Sequence, residues 1–146
     1  MNVNGPLPLR LVKHLSLAAF CVVWASLGLF GHDPWKPDEA YTFGLAYDIA
    51  QSGQWIVPTL AGEPFMEKPP LFVVTAAFFA QLTRGFLPLH DGARLATLLY
   101  VSLTLLFLGR TGRELNGKGF AWLPALLLVG AVGMAETAHR LLVDNA

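Results

Sequence analysis

The sequence predicts an all-α fold: a polytopic membrane protein with about three transmembrane helices and one long loop carrying interfacial helices. Three observations support that expectation. The 146 residues are 54% hydrophobic and only 14% charged, with a mean hydropathy of +0.50, whereas soluble domains carry about a quarter charged residues. Long apolar runs occur at 15–31, which carries no charge, and at 93–109 and 119–138. Seven of the ten acidic residues (Asp33, Asp38, Glu39, Asp48, Glu63, Glu67 and Asp91) fall between 32 and 91. That concentration marks a specialised polar face and argues against a nucleic-acid binder, which would show a basic patch. The one cysteine, Cys21, lies within an apolar run. It reads as a packing residue, and neither a disulfide framework nor a cysteine zinc site is possible within one chain.

Residues 15–31, preceded by Arg10, Lys13 and His14, read as an uncleaved first transmembrane helix, because no Ala-x-Ala-like cleavage site is obvious and further apolar segments follow. The second and third spans are placed at 93–109 and 119–138. Arg110, Arg113, Glu114, Asn116, Gly117 and Lys118 divide them in a short cytoplasmic loop, 110–118. Pro124 is tolerable in a membrane helix, where neighbours satisfy the freed backbone groups. The run 71–83 is short and closes on Arg84, Gly85 and Pro88, as an interfacial or re-entrant piece does. Parity supports that reading. If 71–83 does not span, Arg10, Lys13, Arg110, Arg113 and Lys118 all fall on the cytoplasmic side, as the positive-inside bias requires. The loop 32–92 is then extracytoplasmic, and 139–146 begins a second outer loop.

Within the loop, Pro37 or Asp38 starts a helix with acidic charge near its positive end, and Gly53 is a plausible C-cap. Tyr41, Leu45 and Tyr47–Ile49 supply much of an apolar face. Trp35, Tyr41 and Trp55 suit the headgroup level, where amphipathic rings collect.

Two polar motifs sit in this loop: Asp38-Glu39-Ala40-Tyr41 and, beginning 29 positions after Asp38, Glu67-Lys68-Pro69-Pro70. Between them lie Ser52-Gly53-Gln54-Trp55-Ile56-Val57-Pro58 and Gly62-Glu63-Pro64. A carboxylate just outside a bilayer can deprotonate an acceptor hydroxyl or help to hold a cation; it is equally at home as a solvated helix-start residue. Lys68 is a compact point charge suited to a phosphate oxygen, or a plain snorkelling lysine. The two prolines would hold Lys68 extended. A third motif closes the chain, with Asp144 at the outer end of the last apolar run and Glu136 earlier in it. Arg94, at the outer start of the second span, is suited to pairing with an acid or to facing a lipid phosphate. His14, His32 and His90 show no ligand spacing.

The order and spacing of these motifs resemble the first extracytoplasmic loop of membrane glycosyltransferases with the C-type fold. The resemblance is to the branch containing protein O-mannosyltransferases and the aminoarabinose transferase of lipid A, and it covers about 15–146. It implies that Asp38 is the essential carboxylate, with Glu39 and Asp144 beside it in the catalytic set. Lys68 would contact the phosphate of a polyprenyl-linked sugar, with Tyr41 and Arg94 also on the substrate side. Glu67 is a candidate ligand for a divalent metal cation, although one carboxylate makes no site; no other cofactor is implied. Val143 before Asp144 and Asn145 after it depart from the small or hydroxyl residue followed by Asp that the family usually shows.

The implied activity is transfer of a glycosyl group, with inversion, from the polyprenyl-phosphate donor to a lipid, glycan or protein acceptor at the outer face of the plasma (inner) membrane. Such enzymes are several times longer, so the expectation is an N-terminal portion, inactive alone and completed by a C-terminal portion or a second chain. The rival reading is a non-catalytic membrane protein or split-enzyme subunit that binds a lipid-linked sugar or a partner.

Overall fold

A computed structural model of the chain describes residues 7–117 and 119–145. They are mostly helical: α1 (Leu7–Ser26), α2 (Lys36–Ser52), α3 (Leu71–Leu82), α4 (Leu89–Asn116), α5 (Trp122–Gly130) and α6 (Val132–Thr137). A two-residue antiparallel ladder, β1 (Thr59–Leu60) against β2 (Glu63–Pro64), folds the α2–α3 connection back on itself, and a 3-10 turn at Val143–Asn145 ends the described chain.

The expected set of three spans is corrected. Among the described residues one helix, α4, is long and apolar enough to cross a membrane. The first apolar helix ends at Ser26, where the chain turns and then runs through Gly28 and Gly31 at positive φ. The expected 119–138 helix is two pieces, broken where Ala131 takes an extended conformation (φ −76°, ψ 109°) after Gly130. Pro124 falls in the first turn of α5, where a missing N–H costs nothing. The second helix is longer than 93–109 at both ends. Arg110, Arg113 and Glu114 therefore belong to its last turns and not to a loop. Lys118 and the side chain of Glu136 lie outside what the structure describes, as do the side chains of Arg10, Lys13 and His14.

α2 starts and stops where the sequence indicates. Pro37 sits in its first turn with Asp38 and Glu39, and Gly53 closes it in the left-handed conformation (φ 73°), its N–H bonded to the Ile49 carbonyl. Leu45 and Ile49 are fully buried, whereas Tyr47 remains exposed. Their partners are Phe72, Val73, Ala76, Ala77 and Ala80 on α3 and Ala93 and Ala96 on α4, with Leu141 completing the cluster. Small residues at four-residue spacing, Ala76 and Ala80 facing Gly92 and Ala96, let α3 and α4 approach closely. A Cβ added at Gly92 would lie 3.1 Å from the Ala80 Cα and would collide with the Thr83 hydroxyl. A second cluster joins Ala25, Val101, Leu105 and Ala125, with half-buried Cys21 packed against it.

The chain bends at Glu67 and Lys68, and Pro70 takes the helical conformation (φ −75°, ψ −13°) as the cap of α3. The expected extended geometry is corrected accordingly: the prolines set up the next helix, and Lys68 rides on the bend before it.

Candidate functional site

Two polar centres lie on either side of the first turn of α2. The outer one is a groove of about 480 Å³ whose lining includes Asp38, Tyr41, Glu67, Lys68 and Asp144. Leu45, Phe65, Leu142 and Val143 give it an apolar wall. Three chain segments build it. The first turn of α2 supplies Asp38 and, one turn on, Tyr41. The bend ahead of α3 supplies Glu67 and Lys68. The closing 3-10 turn brings Asp144 across, 76 residues from Lys68 in sequence, to place its carboxylate 3.2 Å from the ammonium.

That ion pair is open to solvent, with side-chain exposures of 43% for Lys68 and 78% for Asp144. An exposed pair of this kind is weak, about 0–1 kcal/mol, so either partner can exchange its counter-charge for a ligand's at small cost. Asp38 is exposed, and its carbonyl accepts the Thr42 hydroxyl at 2.9 Å. Tyr41 packs edge-on against Phe65 with ring centroids 5.0 Å apart. Its phenol is pushed above its ordinary value by desolvation and then by the Glu67 charge, with Lys68 opposing, so at neutral pH it is a protonated donor.

The inner centre is a buried charge cluster. Glu39 is 1% exposed and Arg94 0%. Arg94 donates from Nε to Glu39 Oε1 at 3.0 Å, and from one terminal nitrogen to Asp91 at 2.8 Å and to the His32 carbonyl at 2.7 Å. The N–H of Gly31 reaches both Asp91 oxygens at 3.2 and 3.3 Å. Glu39 also accepts the Trp35 N–H at 2.9 Å and the Leu141 N–H at 3.1 Å. Burial alone would raise the Glu39 pKa. The backbone bond from Trp35, the Arg94 bond and charge, and the Leu141 bond outweigh it and hold the carboxyl below its usual range.

Of the residues singled out from sequence, the fold brings Asp38, Tyr41, Glu67, Lys68 and Asp144 into one groove. It does not bring Glu39 or Arg94 there. Arg94 pairs with acids, one of its two expected readings, and its fully buried guanidinium does not open onto the groove. Among the described residues no group of three His, Cys, Asp or Glu side chains is placed to hold a metal ion. Sequence reasoning missed Asp91 and His32. The Asp91-x-x-Arg94 spacing, which stacks an acid and a base on one helix face, is the signal that could have found Asp91. His32 meets Arg94 through both its carbonyl and its ring Nδ1, the latter 3.1 Å from a terminal guanidinium nitrogen, and no local spacing reveals either contact.

Over 100 residues the chain is 32% identical to an undecaprenyl phosphate-alpha-4-amino-4-deoxy-L-arabinose arabinosyl transferase from Pseudomonas savastanoi pv. phaseolicola. The match takes in 66% of this chain and 18% of that protein, so the chain spans less than a fifth of its relative's length. No family model and no solved structure matches. The likeness is a distant one, to a glycosyltransferase.

Proposed function

We propose that this chain contributes part of the active site of a membrane glycosyltransferase, one that moves a sugar from a polyprenyl-phosphate donor to an acceptor outside the membrane. The observation that carries the reading is the groove in which an exposed carboxylate, Asp38, shares a wall with an exposed lysine, Lys68. The likeness to a transferase whose name specifies an undecaprenyl-phosphate-linked sugar supports it. So does the 28-residue apolar helix α4, which fits a membrane setting.

In this reading an acceptor hydroxyl oxygen attacks the anomeric carbon from the face opposite the phosphate. The carbon–oxygen bond to the phosphate breaks, the hydroxyl proton passes to Asp38, and polyprenyl phosphate leaves with the bonding electrons. Lys68 meets the charge that grows on the phosphate, the point at which a fixed cation lowers the barrier most. The protonated Tyr41 hydroxyl is a hydrogen-bond donor to the sugar or the phosphate, and Asp144 holds the lysine in the groove until the phosphate arrives. If the acceptor is itself an ionised phosphate, Asp38 has no proton to remove.

The test is release of polyprenyl phosphate from a radiolabelled undecaprenyl-phosphate aminoarabinose, measured in native membranes carrying Lys68→Ala or Asp38→Asn. With protein level unchanged, Lys68→Ala should lower turnover by about 10²- to 10³-fold, the usual cost of one electrostatic donor. Asp38→Asn should cost about 10²- to 10⁴-fold where the acceptor is a hydroxyl. Wild-type turnover in Lys68→Ala would remove the groove from the chemistry.

A further inference from the structure

The Glu39 carboxylate joins the two halves of the groove. Its Oε2 accepts the N–H of Trp35, at the start of the helix that presents Asp38. Its Oε1 accepts the N–H of Leu141, three residues before Asp144. Arg94 supplies the counter-charge that lets this carboxylate stay ionised while 1% exposed. A second bond braces the same stretch, from the Thr97 hydroxyl to the Arg140 carbonyl at 2.9 Å. The Leu141 side chain is buried against Leu45, Ile49 and Phe72. Residues 140–141 are therefore pinned, and the short turn beyond them carries Asp144 to Lys68.

We infer that Glu39 and Arg94 are positioning residues: through the Leu141 main chain they set the placement of Asp144 against Lys68, in register with Asp38. Neither touches the groove. Glu39 is suited to the task because a carboxylate accepts on both oxygens at once, whereas an amide turns one of them into a donor. Glu39→Gln thus sets an N–H either against the Trp35 N–H or against both Arg94 and the Leu141 N–H, with no change of volume. The consequence for catalysis rests on the transferase reading above, but the geometric claim does not.

The experiment reads position directly. In a Cys21→Ala background, Lys68→Cys and Asp144→Cys are introduced together, and a short bis-methanethiosulfonate reagent is applied to native membranes. The control pair is Thr75→Cys with Tyr100→Cys, which joins α3 to α4 where the two hydroxyls lie 3.2 Å apart. Adding Glu39→Gln should lower cross-linking at 68–144 by about two- to tenfold, the weight of one net hydrogen bond, and leave 75–100 unchanged. Unchanged yield at 68–144 overturns the inference. A fall of equal size at both pairs reports general loosening of the helices and also overturns it. Turnover in the same variants without the cysteines separates the two claims. Selective cross-linking loss with wild-type turnover leaves the positioning intact and removes the transferase role of the groove.

Discussion

The two charged centres use the same chemistry in opposite surroundings. Glu39 and Arg94 are sealed from water and make hydrogen bonds in three directions, to α4, to the entry of α2 and to the closing segment. Lys68 and Asp144 face each other in the open, each with the other as its counter-charge. A buried charge is tolerable only when fully paired, so it fixes structure and has little freedom to meet a ligand. An exposed pair fixes almost nothing and is easily parted. The difference divides the labour: the inner cluster builds the groove and the outer pair is available to whatever enters it.

The sharpest way to break this comparison is to remove the inner cation. Arg94→Met leaves Glu39 and Asp91 buried without their partner. The expected loss is about 3–5 kcal/mol, the usual cost of stripping one partner from a buried pair. It should appear as a large fall in the midpoint of thermal unfolding in detergent. A midpoint within about 1 °C of the wild type would mean that water or another cation reaches the cluster, and the contrast between the two centres would collapse.

A packing test comes next in size. Gly92→Ala places a methyl group against the Thr83 hydroxyl and the Ala80 backbone, so α3 must shift away from α4 at a cost of about 1–3 kcal/mol. The affected surface, α3 on α4, supports both centres. Unfolding and the 68–144 cross-link should suffer together, unlike Glu39→Gln, which should affect the cross-link selectively. An unshifted midpoint would show that the helix pair has slack the structure does not display.

How much of this was legible in the sequence follows from the range of each interaction. α2 was readable at both ends because Pro37 and Gly53 act locally. The groove residues were readable because the two motifs and Asp144 resemble a known order and spacing. The break at Ala131 was not, since 119–138 is nearly continuous in hydropathy and one extended residue leaves no compositional mark. The inward turn of Arg94 was equally hidden. Its partners come from 55 residues earlier (Glu39), from one helix turn away (Asp91) and from a carbonyl (His32). A sequence pattern records the side chain and not the backbone that receives it.

For the outer pair, Lys68→Ala should move the unfolding midpoint by no more than about 1 kcal/mol equivalent, with the residual effect shrinking further in high salt. Arg94→Met should be insensitive to salt by comparison. If Lys68→Ala proves as damaging to stability as Arg94→Met, the exposed pair is structural and the division of labour is wrong.

Acid provides the smallest effect and the finest discrimination. The Glu39 carboxyl is held below the ordinary value of 4.5 by the Trp35, Arg94 and Leu141 bonds acting against burial. A depressed carboxylate contributes stability that is fully present above its unfolded-state pKa and is lost as pH falls through the lower folded value. Stability from this group should therefore be flat from about pH 8 down to pH 5 and decline only below 4.5. Glu39→Gln should flatten that acid limb. The groups facing the carboxylate are Arg94 and Asp91 on α4 and His32 before α2, with His139 and Arg140 lining the same cleft. An acid limb of unchanged steepness in Glu39→Gln would mean that another group carries it, and the buried carboxylate would lose its part in the comparison.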